Sequence, residues 1–144
     1  MSNTVEVPAI GNWQPIDRGG PFTQFVGPMF SSNVGLGADE PARLGFRVLP
    51  HHCNPRQVCH GGMMATFLDI VLARGARIAL DIHGSTPTIS LSIDYLSPAH
   101  LGDWVESRLQ VLHHTTRTVF VQAVLHGPDA PVLRGSGIFR LPST

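Results

Sequence analysis

The stretch MMATFLDIVLARGARIAL, residues 63–80, decides the architecture. Its methionines, alanines, leucines and phenylalanine are compatible with a helix, and no proline interrupts before Pro87. From Gly61 to Ala73 the only charged residue is Asp69, and apolar side chains run round every face. Such a helix is enclosed rather than laid on a surface. Crossing a bilayer takes about 20 uninterrupted apolar residues, and Arg74 and Arg77 intervene too soon. Protein must therefore enclose it.

The enclosing material lies on both sides. PTISLSIDYL (87–96) alternates, with Ile89, Leu91, Ile93 and Tyr95 on one face and Thr88, Ser90, Ser92 and Asp94 on the other. DWVESRLQVLHH (103–114), TVFVQAVLHG (118–127) and VLRGSGIFRL (132–141) read as three further strands, with turn chemistry in SPAHLGD and GPDAP. Upstream, ARLGFRVLP (42–50) reads as a strand closed by Pro50. Strands and helix do not alternate as a parallel sheet requires, so the class is α+β: an antiparallel sheet around one central helix. Residues 1–41, rich in Gly, Pro and Asn, read as an N-terminal arm with one short strand around Gln24–Ser31; residues 42–144 form the domain, single overall.

Composition narrows the function. A chain of 144 residues with 42% hydrophobic and 14% charged residues buries a real core. Ten acidic against ten basic residues leave no electrostatic footprint for nucleic acid or an anionic membrane, and low net charge favours self-association. Cys53 and Cys59 sit in one short segment rather than in a disulfide framework, and MSNTVEVPAIGNWQP lacks the pattern of a signal peptide. A cytoplasmic location is expected.

The loop before the helix, NPRQVCHGG (54–62), concentrates chemistry. His51, His52, Cys53, Cys59 and His60 are all zinc-ligand types, but they lack the paired spacing of structural sites, so no metal is expected. Gly61 and Gly62 open the helix and leave N–H groups free for an anion or a carbonyl oxygen; neither dinucleotide nor Walker spacing is present. Cys59 reads as packing, because sequence adjacency does not aim His60 at its thiol. Asp69 is costly in an apolar helix unless it is paired, with Arg74 or Arg77 for instance, or held ready as nucleophile or general base. His60 and Asp69, nine positions apart, fall on opposite sides of one helix and about 13 Å apart along it. If both act on one substrate, two antiparallel helices of a two-fold dimer must bring them together.

The pattern N-x5-H-G-G-x7-D, here Asn54, His60, Gly61, Gly62 and Asp69, resembles the hotdog-fold acyl-CoA thioesterases of the phenylacetate-pathway type, within the hydroxybenzoyl-CoA thioesterase superfamily. The resemblance continues through PTISLSIDYLSPAHLGD and the last two strands, covering residues 43 to 141. It implies a homodimer or homotetramer that hydrolyses an acyl- or aryl-CoA without a resident cofactor. In that family pattern the Gly61 N–H polarises the thioester carbonyl, and Asn54 and His60 help hold loop and thioester. Asp69 of the opposite subunit activates water or attacks directly, and Thr88 orients the water. Gly62, Leu96, Ser97 and Pro98 fall at positions that line the CoA channel, and Arg117 at one near the CoA phosphates. Pro55, Arg56, Gln57 and Cys59 depart from the small residues usual in the loop. Two rivals remain: a hotdog dehydratase or hydratase, and a non-catalytic acyl-CoA-binding module.

Overall fold

In chain order the elements are β1 (Gln14–Pro15), α1 (Gly20–Val26), β2 (Phe30–Ser32), β3 (Arg43–Arg47), α2 (Gly61–Ala79), β4 (Thr88–Tyr95), β5 (Trp104–His114), β6 (Thr118–His126) and β7 (Pro131–Arg140). The structure, a computed structural model, describes residues 4–33 and 42–143. The end of the arm, with the boundary expected at 41/42, lies outside them.

Seven strands form one antiparallel sheet in the order β1-β2-β3-β5-β6-β7-β4, and α2 packs against β4 to β7. This is the expected hotdog arrangement. Met63, Met64, Phe67, Leu68, Val71, Leu72, Gly75 and Ala76 recur at helical spacing on the buried stripe of α2. Phe67 is fully buried against Phe46, with ring centroids 4.6 Å apart. Helix and sheet approach closely at two glycines. A Cβ on Gly135 would sit 2.3 Å from Leu68 Cδ2, and one on Gly75 would sit 2.4 Å from Leu109 Cδ1.

Enclosure of α2 within one chain is one-sided. Thr66, Asp69, Ile70 and Ala73, opposite the buried stripe, are only half-buried. The sheet edge at β4 is also open: among the described residues β4 is bonded only to β7, and Ile89 and Tyr95 are 59% and 57% exposed.

Two elements differ from the sequence reading. Gln24 to Val26, read as part of a strand, belong to α1; only Phe30–Ser32 is extended. Pro21 at the first turn of α1 is compatible with a helix start, and Pro28 stops the helix because it has no N–H to donate. The alternation of β4 also breaks at its start. Thr88 pairs with Phe139 and Ser90 with Ile138, so the strand slips by one residue at Ile89. That slip places Thr88 on the helix side together with Leu91 and Ile93, instead of opposite them, and leaves Ile89 outside.

Candidate active site

The loop leading into α2 is built by its own polar groups. The side-chain oxygen of Asn54 accepts the Arg56 and Val58 N–H groups at 2.9 and 3.2 Å, and the Asn54 N–H donates to Val58 O at 2.8 Å. Asn54 therefore shapes the turn that Gln57 completes in the left-handed region (φ 61°). Arg56 points outward and is exposed.

Hydrogen bonds from two neighbouring segments then fix the helix start. Cys59 N donates to Ala99 O, and His60 N donates to His52 O, both at 2.8 Å. His60 caps α2 with its ring: Nδ1 accepts the Gly62 N–H at 2.8 Å, which puts the imidazole proton on Nε2. The Gly61 N–H, one of the first-turn donors that a helix cannot satisfy internally, meets no acceptor among the described residues. Tyr95 Oη donates to Gly61 O at 2.7 Å and braces this turn against the end of β4. Sequence reading placed Tyr95 only on an apolar strand face; its phenol, a polar tip at the end of a strand, was the signal available for more.

A second group forms further along the helix. Thr88 Oγ1 donates to Asp69 Oδ1 at 2.7 Å, on the half-buried face of α2. Neither arginine proposed as a salt-bridge partner for Asp69 is used that way. Arg74 Nη1 donates to Arg18 O at 3.0 Å, and Arg77 Nη1 to Thr86 Oγ1 at 2.7 Å. Among the described residues the carboxylate is thus held by one hydroxyl, on a half-buried face.

The remaining candidates divide between these groups. Leu96 and Ser97 continue past β4, both N–H groups donating to Val132 O and Ser97 Oγ to Pro131 O, so they and Pro98 lie at the Gly61 end. Arg117 is exposed in the β5–β6 turn. There Thr118 pairs with Arg140, and the next residue of β7, Phe139, pairs with Thr88, so Arg117 belongs to the Asp69 end. One chain therefore holds two separate groups of these candidates. His60, Gly61, Gly62, Tyr95 and Leu96–Pro98 form one; Asp69, Thr88 and, at that end of the sheet, Arg117 form the other. Eight helical positions, about 12 Å of rise, separate Gly61 from Asp69.

The other ligand-type side chains have assigned partners. His52 is buried; its Nδ1 accepts the Leu49 N–H at 3.0 Å, so Nε2 carries the proton and donates to Val26 O at 2.6 Å. His51 Nε2 bonds Gly27 O at 2.9 Å. Burial holds the His52 pKa below the ordinary histidine value. Cys59 lies in the core, and burial, with Cys53 adding to it, pushes its thiol up to about 12; it is packing, as read.

Beside the helix start lies a cleft of about 580 Å³ that sequence reading did not find. His60, Gly62, Met63 and Thr66 form one side of it, and Phe25 and Val26 of α1 the other. It escaped notice because α1 itself did.

Comparison with known proteins agrees with this fold. The family model of the thioesterase superfamily matches residues 56–132, more than half of the chain. A Pseudomonas aeruginosa protein provisionally named an esterase is 29% identical over 130 residues, which are 90% of this chain and 95% of that protein. Among solved structures, the Escherichia coli PaaI protein from the phenylacetic acid degradation operon superposes with a TM-score of 0.67 at 21% identity, covering 82% of this chain and 86% of its own. A Streptococcus pneumoniae thioesterase protein solved with coenzyme A gives 0.65 at 19% identity, covering 74% and 84%.

Proposed function

This chain belongs to the thioesterase superfamily and is a thioester hydrolase, and from that premise we propose that it cleaves acyl-CoA thioesters in an active site shared by two subunits. The observation that carries the reading is the Thr88–Asp69 hydrogen bond, which holds a carboxylate ready on the uncovered face of α2.

The two groups are its half-sites, and the roles follow from them. The thioester carbonyl oxygen sits at the Gly61 N–H, where the free donor and the positive end of the helix dipole stabilise the charge that develops on it. Asn54 holds the loop, His60 and Gly62 close the cap beside the thioester, and Tyr95 braces the turn. Asp69 arrives from the second subunit with Thr88, and the pair holds a water. The water attacks the carbonyl carbon and gives its proton to Asp69; the carbon–sulfur bond then breaks, and the departing CoA sulfur takes the proton. Leu96, Ser97 and Pro98 line the path of the pantetheine arm, and Arg117 reaches the CoA phosphates. CoA enters as part of the substrate, and the reaction uses no metal or resident cofactor. The pneumococcal protein solved with coenzyme A supports CoA as the carrier.

The open β4 edge and the half-covered α2 face supply the dimer contact. Leu112 and Phe120, both exposed on neighbouring strands, supply a second contact for a tetramer. Two free cysteines fit a reducing cytoplasm.

CoA release from a panel of thioesters tests the reading. Replacing Asp69→Asn lowers kcat by about 10²- to 10⁴-fold, the range for loss of a general base, with the circular dichroism spectrum unchanged. Unaltered turnover in that variant refutes it, and hydration of an enoyl thioester without hydrolysis would favour a hydratase.

A further inference from the structure

The cleft beside the helix start determines what the acyl group is. A thioester carbon is planar, so with its oxygen at the Gly61 N–H its two other substituents leave in different directions. One runs along Leu96–Pro98 as the CoA arm. The other enters the cleft, whose lining includes His60 and Gly62 beside Gly61. This inference rests on the thioester reading above.

The residues lining the cleft suit an uncharged chain. Val26, Cys53 and Met63 are apolar, and the lining contains no Asp, Glu, Lys or Arg. Of the three histidines in the lining, His51 Nε2 bonds Gly27 O and His52 Nε2 bonds Val26 O, and only His60, at the thioester end, keeps an unpartnered Nε2–H among the described residues. An acyl group ending in a carboxylate would lose water there and meet no Lys or Arg. The same two bonds hold the C-terminal end of α1, an element with no fully buried residue of its own, against the catalytic loop.

Phe25 stands out. It lines the cleft, yet the residue is 84% exposed. An exposed phenyl ring at the rim of an apolar cleft loses its contact with water when an acyl chain lies against it. We propose that the cleft is the acyl-binding pocket for an uncharged apolar chain longer than acetyl, and that Phe25 is a specificity-determining residue.

The experiment measures kcat/KM for acetyl-, octanoyl-, succinyl- and phenylacetyl-CoA with the intact protein and with Phe25→Leu, Phe25→Ala and Phe25→Asp. Phe25 is exposed, so all three fold, and matching melting temperatures check this. The unsubstituted protein prefers octanoyl- to succinyl-CoA by about 10-fold or more. Phe25→Ala lowers the octanoyl-to-acetyl ratio by about 10-fold, within the range for lost apolar pocket contacts. Phe25→Asp lowers it further, and Phe25→Leu keeps it within about 3-fold. A ratio that stays within about twofold in Phe25→Ala and Phe25→Asp overturns the proposal, as does a preference for succinyl-CoA. A protein that hydrolyses acetyl- or succinyl-CoA or an aryl-CoA but not octanoyl-CoA overturns the pocket alone, whereas one that hydrolyses none of these, phenylacetyl-CoA included, overturns the thioester reading itself.

Discussion

Replacing Thr88→Val should damage the reaction far more than the fold. The substitution keeps the shape of the side chain and removes one donor, the hydroxyl 2.7 Å from Asp69 Oδ1. A hydrogen bond to an ionised group contributes about 1.5–3 kcal/mol where it is fully felt. At 1.36 kcal/mol per decade, that interaction in the transition state corresponds to a loss of about 10- to 150-fold in kcat. Folding feels much less, because Thr88 is exposed and water can replace it at the carboxylate in the free chain; a stability change within about 0.5 kcal/mol is expected. The assay pairs steady-state CoA release with urea unfolding. Thr88→Ser should recover most of the rate. In an Asp69→Asn background, Thr88→Val should cost little more, because residues that act as a unit are not additive. The reasoning fails if Thr88→Val keeps kcat within about twofold, or if its loss of stability matches its loss of rate.

Three further outcomes follow from the geometry. Co-expressing Gly61→Pro, which removes the N–H at a helix position that tolerates proline, with Asp69→Asn should restore activity that neither variant has alone. A random mixture of dimers should reach about a quarter of the native rate, since half are mixed and each mixed dimer has one intact site; no recovery would place each site within one chain. His52 is buried with its pKa lowered, so the folded chain resists the proton that the unfolded chain accepts near pH 6.5. Stability is therefore full above 6.5 and falls as the pH drops through the lower folded value, and His52→Gln should flatten that part of a melting-temperature profile. Cys59→Ala should keep kcat within about twofold, with some loss of stability from its core position, and the native thiol should resist alkylation near neutral pH, since burial pushes it up to about 12.

How much the sequence disclosed depended on how local the cause was. The helix was legible from its composition and the strands β3 to β7 from short apolar or alternating runs between turn residues, both local signals. Asp69 stood out by composition, as the only charge between Gly61 and Ala73. The slip at Ile89 was not legible, because pairing with β7 creates it, and the alternation in PTISLSIDYL gives no sign of it. Nor was α1: seven residues beginning with Gly-Pro and none fully buried leave no apolar period to read. Missing α1 meant missing the cleft, since Phe25 and Val26 belong to it. Tyr95 was assigned to the right strand but not to Gly61, a contact between positions 34 apart in the chain.

The slip in β4 also bears on what counts as an improvement to this protein. Closing the bulge with Ile89 paired in the ladder would turn an exposed greasy side chain inward and restore an uninterrupted two-residue repeat to an edge strand. By the usual criteria of strand design, the result is the better strand. It would also turn the Thr88 hydroxyl away from α2 and leave Asp69 without its donor. The irregularity is therefore the setting that aims the hydroxyl, and a library selected only for thermal stability would be expected to erase it.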